Sequence, residues 1–308
     1  QYIKVKGYKL GSSTTVVISA QASVKPVAPT LTATLADKVT MTHSNTDTSA
    51  ITIRYTEGAN GADPTDPTAT TGKVYSGVIT SMENTRFDAI TVRTSNGLTA
   101  VSSTSSVTVP STTYSITKTA EDVANQTGTY KLSSTLAVDK IYYTTDGKTP
   151  TTSSSYVANN KTITGVKCDT FIKIKGYLNG VLDDETYTTT AYITPKAPTI
   201  TWSSDFNNTF SVTDNNTGDT AAIYVTIDGT TPSASNTTDV RTITTAMGTV
   251  KAVAARHGLT SSVTTSRHTI KLATPTISWS ARAATSGGGQ IATITCSNVK
   301  GVTFYYTT

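Results

Sequence analysis

Residues 141–150 read Ile-Tyr-Tyr-Thr-Thr-Asp-Gly-Lys-Thr-Pro, an apolar and β-branched run that ends in an Asp-Gly pair and a proline. A run of this composition favours a β-strand. Gly147 can supply the positive φ of a tight turn, and the Asp146 side chain can bond to its own backbone there. Pro150 cannot continue a strand ladder, so the stretch predicts a strand followed by a defined turn.

The stretch recurs at a fixed spacing. It returns 82 residues later at 223–232 as Ile-Tyr-Val-Thr-Ile-Asp-Gly-Thr-Thr-Pro, and 81 residues after that the sequence ends in Phe-Tyr-Tyr-Thr-Thr at 304–308. A more divergent copy lies at 53–58, followed by an irregular segment at 60–68. A period of about 80 residues indicates tandem copies of one structural unit.

A second motif keeps its place between the copies of the first. Residues 172–177, Ile-Lys-Ile-Lys-Gly-Tyr with Gly180, match residues 3–8, Ile-Lys-Val-Lys-Gly-Tyr with Gly11, at every offset. Weaker copies in the same register lie at 90–93 and 250–253. Two motifs in constant order strengthen the prediction of a repeated unit.

Proline-containing joins at 26–30, 110, 195–199 and 273–276 separate the copies. They predict five segments: 1–25 as the C-terminal part of a truncated module, 26–110 as a divergent sandwich module, 111–194 and 195–271 as two further modules, and 272–308 as the N-terminal part of a truncated module. Gln1 aligns with Thr170 and Thr308 with Thr145. We therefore expect the chain to be a window cut from a longer array.

The composition predicts an all-β chain. Threonine occupies 69 of the 308 positions, and its stiff β-branched side chain suits a pleated strand. Strand and turn patterns alternate as in a small sandwich, and no stretch keeps the 3.6-residue apolar period of a helix. Hydrophobic residues make up only 36%, which suits several thin sandwiches better than one large core. Short proline-containing linkers limit bending, so we expect an elongated array.

The run at 141–150, with Ser153-Ser154 and Tyr156 after it and the 172–175 motif further on, resembles the chitobiase/β-hexosaminidase C-terminal-type repeat. The resemblance is good over 112–194, fair over 199–271 and poor over 30–110, where an Asp-Gly-x-Thr-Pro turn is missing. It implies immunoglobulin-like sandwich modules of the kind appended to bacterial surface proteins and carbohydrate-active enzymes. It also implies spacers without catalytic residues.

The residues that carry most enzymatic chemistry are few and scattered. His43, His257 and His268 show neither zinc spacing nor a nucleophile-elbow sequence nearby, and His257 stands where an exposed turn residue is expected. Cys168 and Cys296 cannot form a disulfide framework, and their apolar phase predicts buried free thiols. We expect no catalytic, cofactor or metal site and no enzyme activity.

Two polar segments could still bind a ligand. Residues 183–185, Asp-Asp-Glu, form the densest acidic cluster, and the segment 214–219, Asp-Asn-Asn-Thr-Gly-Asp, carries five oxygen-bearing side chains without the spaced glutamate of an EF-hand. A solvated loop is expected for the first segment and a hairpin connection for the second. Calcium binding at 183–185 is the alternative that stays open.

The candidate contact residues are Lys173, Lys175, Trp202 and Trp279. Lys173 and Lys175 alternate with isoleucines and fall on one strand face, which suits an anionic glycan, a neighbouring subunit, or a solvent face or charge-protected edge strand. Trp202 and Trp279 stand at equivalent places just after two joins. They predict core or inter-module packing, with a sugar-stacking platform as the alternative.

The net charge of +5 is spread along the chain, and no basic patch or aromatic stacking motif predicts nucleic-acid binding. No stretch predicts a membrane span or a signal peptide. The sequence favours a structural or adhesive repeat array, a semi-rigid shaft at a cell or virion surface. Its partners would be neighbouring modules of a longer chain, further copies in a filament, or a glycan. The alternatives are carbohydrate-binding accessory modules of a secreted glycoside hydrolase and a phage head- or tail-fibre component.

Overall fold

The structure is a computed structural model, and it describes residues 2–7, 16–21, 23–205, 209–218, 220–234, 242–243, 248–281, 289–296 and 302–307. Gln1, Tyr8, Gly11, Asp219 and Thr308, which entered the sequence alignment, lie outside the described residues. The chain forms two compact units. The first contains Gln1–Thr117, Lys131–Ile163 and Phe171–Thr189, and the second contains Lys118–Tyr130, Thr164–Thr170 and Thr190–Thr308.

The first unit begins with an antiparallel hairpin of β1 (Tyr2–Gly7) and β2 (Val16–Gln21). The next strands are β3 (Thr30–Ala33), β4 (Lys38–Thr42), β5 (Ile51–Gly58), β6 (Lys73–Val74), β7 (Ile79–Thr80), β8 (Arg86–Ser95), β9 (Leu98–Val101) and β10 (Ser105–Thr108), with 3-10 turns at Thr48–Ala50 and Ala59–Gly61. They make two sheets, β3-β4-β7 and β10-β8-β5-β6, with β9 on β8.

The core of this module fills the space between its two sheets. The core side chains stand two positions apart along their strands, as Val39 and Met41 do on β4 and Phe87 and Ala89 do on β8. This period of two places one face of each strand inward. Tyr55 packs against Phe87 with ring centroids 5.8 Å apart, so even the divergent module has an aromatic core.

The predicted module 111–194 contains the strands β11 (Tyr114–Asp122), β12 (Thr127–Ser134), β13 (Lys140–Thr144), β14 (Ser155–Val157), β15 (Lys161–Lys167), β16 (Phe171–Leu178), β17 (Val181–Leu182) and β18 (Tyr187–Thr190). Its sheets are β11-β12-β15 and β14-β13-β16-β17, with β18 also on β16. The repeated motif thus forms β13 and the turn toward β14. Gly147 has φ +81° and Lys148 N–H donates to Asp146 Oδ1 at 3.1 Å, which confirms the predicted turn.

The second unit contains the predicted module 195–271, with the strands β19 (Thr199–Trp202), β20 (Phe210–Thr213), β21 (Ala222–Thr226), β22 (Thr242–Ile243), β23 (Gly248–Arg256), β24 (Leu259–Thr260) and β25 (Thr264–His268). The sheets are β19-β20-β22 and β21-β23-β24, with β25 on β23. Buried Phe210 and Val212 face Ile223 and Val250 in the core. A last antiparallel pair, β26 (Thr276–Ala281) and β27 (Gln290–Thr295), follows.

The same connectivity recurs in three successive modules. In each, the second strand lies between the first strand and a later strand (β7, β15 or β22), and the third strand pairs with the long strand (β8, β16 or β23) that carries the last strands. This division of strands between two packed sheets is that of an immunoglobulin-like sandwich. Apart from the two 3-10 turns, no helix occurs in the described ranges, and the predicted all-β fold of tandem immunoglobulin-like β-sandwich modules is confirmed.

Candidate functional site: the joints between modules

Three linkers are held by the loop that follows the second strand of the next module. Asn45 Oδ1 accepts the Val27 N–H at 2.8 Å, and Asn45 Nδ2 donates to the Val27 carbonyl at 3.1 Å. Asn216 makes the same two bonds with Lys196, at 2.6 and 3.4 Å. A side-chain amide carries one acceptor and two donors, so it can pair with both polar groups of a linker residue.

The third linker uses a threonine in the same place. Thr113 N–H donates to Thr135 Oγ1 at 2.9 Å, and Thr135 N–H donates to the Thr113 carbonyl at 3.0 Å. In all three modules the residue before the first strand is therefore bonded to the loop after the second strand. We call this arrangement the linker clamp.

Within the second unit, Arg256 at the end of β23 is the centre of the joint between modules 111–194 and 195–271. Its side chain is only 3% exposed. Arg256 Nη2 donates to Gln126 Oε1 at 2.7 Å and lies 3.1 Å from Cys168 Sγ, while Nη1 donates to the Thr217 carbonyl at 3.2 Å. Hydrogen bonds from a charged donor are about twice as strong as neutral ones, so this arginine fixes the joint.

Asp169 and Tyr192 extend the same joint. Asp169 Oδ2 lies 3.6 Å from Arg256 Nη1, and Asp169 Oδ1 lies 2.9 Å from His257 Nε2. The His257 ring stacks on Tyr192 with centroids 4.4 Å apart. His257 stands in a turn and is exposed, as the sequence predicted, although its ring contacts Tyr192 of the preceding module.

Three residues with left-handed backbone meet at this joint: Gln126, Asp169 and His257 have φ of +53°, +62° and +51°. Because such a backbone bends the chain sharply, it projects these side chains from the ends of the sandwiches. Gln126 also donates through Nε2 to the carbonyls of Val123 and Thr194, at 2.9 and 3.0 Å. The arginine therefore meets an acceptor that is already held in place.

In the first unit the equivalent positions are Asp37, Asn84 and Asn179, with φ of +57°, +58° and +51°. The backbone bonds confirm the equivalence, because Ser81 N–H donates to the Asp37 carbonyl at 3.0 Å just as Cys168 N–H does to Gln126. We call the joint around Asp37 the first joint and the joint around Arg256 the second joint.

The first joint has no arginine. Leu178, before Asn179, stands at the position that Arg256 occupies before His257, and Asp37 stands at that of Gln126. Asp37 Oδ1 is buried and has no hydrogen-bond partner among the described residues. The pKa of Asp37 is raised to about 6, first by burial and then by the nearby negative charges of Asp184 and Glu83.

Glu83 belongs to the two extra residues that the first joint contains before Asn84. Its carboxylate accepts the Ser111 hydroxyl at 3.0 Å and the Thr112 N–H at 3.3 Å. These bonds attach the loop after β7 to the linker between modules 26–110 and 111–194. The carboxylates of Asp183 and Glu185 also raise the pKa of Asp37, so the first joint is acidic.

The expectation of a solvated acidic loop holds for Asp184 and Glu185, which are exposed, but was wrong for Asp183. Asp183 is 2% exposed, and its Oδ2 accepts the Tyr114 hydroxyl at 2.5 Å. The same hydroxyl accepts the Gly176 N–H at 3.0 Å. Burial raises the pKa of Asp183 and of Tyr114. A side chain at Gly176 would collide with the Tyr114 oxygen, so this contact requires glycine.

Lys175 is likewise not on a solvent face. It is 9% exposed, and its ammonium group donates to the carbonyls of Asp183 and Asp184 at 3.0 and 2.7 Å. Its strand β16 lies between β13 and β17, so the alternative of a charge-protected edge strand was wrong. Lys173 lies half-buried on the same strand opposite Thr144. The two lysines therefore do not form an exposed basic stripe.

The other two modules satisfy the same strand amide with serine. Thr91 N–H donates to Ser102 Oγ and Ala254 N–H donates to Ser261 Oγ, both at 2.9 Å. Each serine hydroxyl then donates to the next carbonyl, at 2.7 and 2.8 Å. In all three modules a side-chain hydroxyl thus accepts the same strand N–H, and module 111–194 uses a tyrosine held by an aspartate where the other two use a serine.

The two tryptophans differ in their surroundings. Trp202 stacks on His268 with centroids 4.4 Å apart, contacts Phe210, and donates through Nε1 to Ser266 Oγ at 3.0 Å. Trp279 of β26 is 64% exposed and pairs with Ala292 of β27. Trp202 contributes to packing within its module, whereas the role of Trp279 remains a prediction.

Three smaller expectations concern polar residues. In the described part of the chain Cys168 and Cys296 form no disulfide and are half-buried rather than buried, and burial raises the pKa of Cys168. The segment after β20 is not a hairpin, because β20 and β21 belong to different sheets. Asp214 in this segment accepts the Ala221 N–H at 3.0 Å.

Among the described residues, no group of three or more His, Cys, Asp and Glu side chains is arranged to hold a metal ion.

No family model and no curated protein matches the chain. Among solved structures, the chain is similar to the crystal structure of chicken CNTN1 FN1-FN3 domains, at 11% sequence identity and a TM-score of 0.24, with 79% of this chain and 97% of that chain covered. In the described ranges no helix has the length and apolar character needed to cross a membrane. The sandwich assignment rests on the sheet connectivity.

The joint residues were missed in the sequence because nothing in their local pattern distinguishes them. Gln126 and Arg256 are 130 positions apart, and neither belongs to a repeated motif. The turn pairs Asn96-Gly97, Asn179-Gly180 and His257-Gly258 recur in the sequence. The residue before each pair is the one feature of the sequence that could have indicated a joint residue. Only Arg256 is charged at that place.

Proposed function

We propose that the chain is a non-enzymatic, structural or adhesive repeat array, in which sandwich modules act as a semi-rigid spacer. The observation that supports this most directly is the buried Arg256 side chain, which links one module to the next through Gln126 and Asp169. A spacer needs fixed angles between its modules. A buried, charge-assisted contact limits those angles far more than an unpaired linker would.

The linker clamp supports the same proposal. Asn45, Thr135 and Asn216 bind the linker residue of their own module, so few free backbone torsions remain between sandwiches. Each clamp makes two hydrogen bonds, and a hydrogen bond contributes about 1 kcal/mol net. Linkers held in this way transmit orientation from module to module, which suits a shaft.

We further propose an extracellular location, on a cell surface or a virion, with neighbouring modules or further copies as the partners. The resemblance to the chitobiase/β-hexosaminidase C-terminal-type repeat supports this location. Fixed joints would serve a bacterial surface shaft and a phage head or tail fibre equally well. The flanking sequence of the gene would distinguish these two settings.

The test uses residual dipolar couplings measured on the full chain in a weakly aligning medium. If modules 111–194 and 195–271 move as one body, a single alignment tensor fits the amide couplings of both. Asn216→Ala removes the clamp between them and should give two tensors of different magnitude. Asn45→Ala, the same change at another linker, is the matched control and should leave this pair unchanged. Different tensors in the unmodified chain would contradict the proposal.

A further inference from the structure

The repeated motif of module 111–194 encloses a cleft of about 520 Å³ between the end of β13, the turn and β14. Ten residues line it: Tyr143, Thr144, Thr145, Asp146, Lys148, Thr149, Thr151, Ser153, Ser154 and Ser155. A volume of this size lies within the usual range of small-ligand sites. The cleft uses no residue of either joint, so nothing in the spacer role accounts for it.

The lining is rich in hydroxyl groups and contains no aliphatic side chain. Seven of the ten residues are serine or threonine, and Tyr143 adds a phenol. The two charged residues oppose each other, since Lys148 Nζ lies 3.4 Å from Asp146 Oδ2. Such a lining suits a neutral ligand that has many hydroxyl groups, and it offers no concentrated charge to an ion or a phosphate.

The walls of the cleft are held in place without a ligand. Thr144 Oγ1 donates to the Lys148 carbonyl at 2.5 Å. At the other end of the loop, Thr151 N–H donates to Ser154 Oγ at 3.0 Å and Ser153 N–H donates to Thr151 Oγ1 at 3.3 Å. Because these bonds already order the loop, a ligand would not have to supply the free energy of ordering it.

Other hydroxyls in the lining remain available. Thr145, Thr149 and Ser155 are exposed, and their side chains make no hydrogen bond within residues 23–205, a range described without a gap. Hydroxyl groups donate and accept equally well. Three such groups and the half-buried ring of Tyr143 give one wall both polar and aromatic character.

We propose that this cleft binds one sugar unit of a neutral saccharide. The sugar's carbon-bound hydrogens would pack on the ring of Tyr143, and its hydroxyls would bond to Thr145, Thr149 and Ser155. This inference goes beyond the spacer function and does not depend on it. It places glycan contact at a turn, whereas the sequence suggested the lysines and tryptophans.

The chain contains its own comparison site. In module 195–271, Thr226 Oγ1 donates to the Thr230 carbonyl at 2.5 Å and Thr230 N–H donates to Asp228 Oδ1 at 3.0 Å. Gly229 has φ +82°, so the turn has the same form as in module 111–194. Val225, however, replaces Tyr143. We therefore expect the aromatic contact to be absent from the second turn.

The experiment is an amide chemical-shift titration of the full chain with glucose, galactose and N-acetylglucosamine and with a disaccharide of each. At least one saccharide should shift amides within residues 143–155, with a Kd on the order of 1 mM. Tyr143→Ala should weaken that binding about tenfold, while Tyr143→Phe keeps the ring and the affinity. Val225→Ala is the control at the equivalent position: it removes a core side chain of module 195–271 and lowers the stability of that module, but it should leave saccharide binding at residues 143–155 unchanged.

Two outcomes would overturn the proposal. One is that none of the six saccharides, up to about 50 mM, shifts an amide of residues 143–155. The other is that Tyr143→Ala binds as well as the unmodified chain, with resonances outside the cleft unchanged to show that it is folded. Neither outcome bears on the spacer function, which the alignment tensors test separately.

Discussion

The first joint, around Asp37, and the second joint, around Arg256, are built on the same three left-handed turn positions but carry different side chains. In the second joint an arginine donates to a glutamine and forms an ion pair with a neighbouring carboxylate. In the first joint a leucine replaces the arginine, and five carboxylates lie close together. The backbone thus determines where modules meet, and the turn residues determine how strongly and at which pH they hold.

This difference predicts unequal joints. The second joint gains from charge-assisted bonds in a buried place, where solvent screening is weak. The first joint holds Asp37 Oδ1 without a partner, and an unpaired buried acceptor is destabilising. Exchanging side chains between equivalent positions should therefore transfer the properties of one joint to the other.

The largest effect is expected for Arg256→Leu, which gives the second joint the leucine of the first. Gln126 would lose its buried donor and Asp169 its ion-pair partner, and breaking one side of a buried ionic contact costs about 3 kcal/mol. Hydrogen exchange of the Gln126 and Cys168 amides should accelerate about 100-fold or more if that free energy governs local opening. Arg267→Leu, on the exposed face of β25, is the control and should leave these amides unchanged.

Equal exchange rates in the Arg256→Leu and Arg267→Leu variants would show that the second joint does not depend on its arginine. The comparison of the two joints would then lose its main support. Faster exchange throughout module 195–271 would instead show that the module itself had been destabilised.

A smaller effect is expected for Leu178→Arg, which gives the first joint the arginine of the second. An arginine beside Asp37 would favour the carboxylate, so the pKa of Asp37 should fall from about 6 toward its ordinary value of 3.8. A carbon-detected titration of the aspartate carboxyl groups measures this directly. Leu178→Met adds no charge and should leave the pKa near 6; if the arginine variant does the same, the two positions are not equivalent.

The smallest effect concerns pH. Because the pKa of Asp37 is raised in the folded chain, the folded state binds this proton more tightly than the unfolded state. The stabilisation is complete below about 3.8 and is lost as the pH rises through about 6. The raised pKa of Asp183 acts in the same direction.

Asp37→Asn cannot titrate, so its free energy of unfolding should vary less between pH 4.5 and pH 6.5 than that of the unmodified chain. Urea denaturation at these two pH values measures the difference. A variant that keeps the full pH dependence would assign that dependence to the other carboxylates of the first joint. Asp169→Asn in the second joint provides the comparison variant.

The fold could be predicted from the sequence because repeated motifs and turn residues are local. Gly147 and Asp146 specify their turn with no help from distant residues. Lys175 could not be placed in the same way, because its burial depends on carbonyls at 183 and 184 that turn toward it. A period of two indicates the face of a residue but not what covers that face.

The joints were less predictable still. Some of their contacts join residues more than 80 positions apart, such as Cys168 and Arg256, and no alternation or spacing relates such pairs. The hydroxyl-lined cleft is more predictable from the sequence than the joints and less predictable than the turn. Its residues are contiguous and were recognised as a motif, but only the folded loop shows which hydroxyls remain free.

Gly176 has a consequence for how such modules vary in sequence. Tyr114 follows the clamped linker residue, and the corresponding positions in the flanking modules are Ala28 and Ala197, because Val27 and Lys196 are clamped there. Only a glycine leaves room for the tyrosine oxygen. Three distant positions are therefore coupled. One set of residues is tyrosine, glycine and aspartate; the other set is alanine, a residue larger than glycine, and serine. In a collection of related modules they should change together, and a module that mixed the two sets would fold poorly.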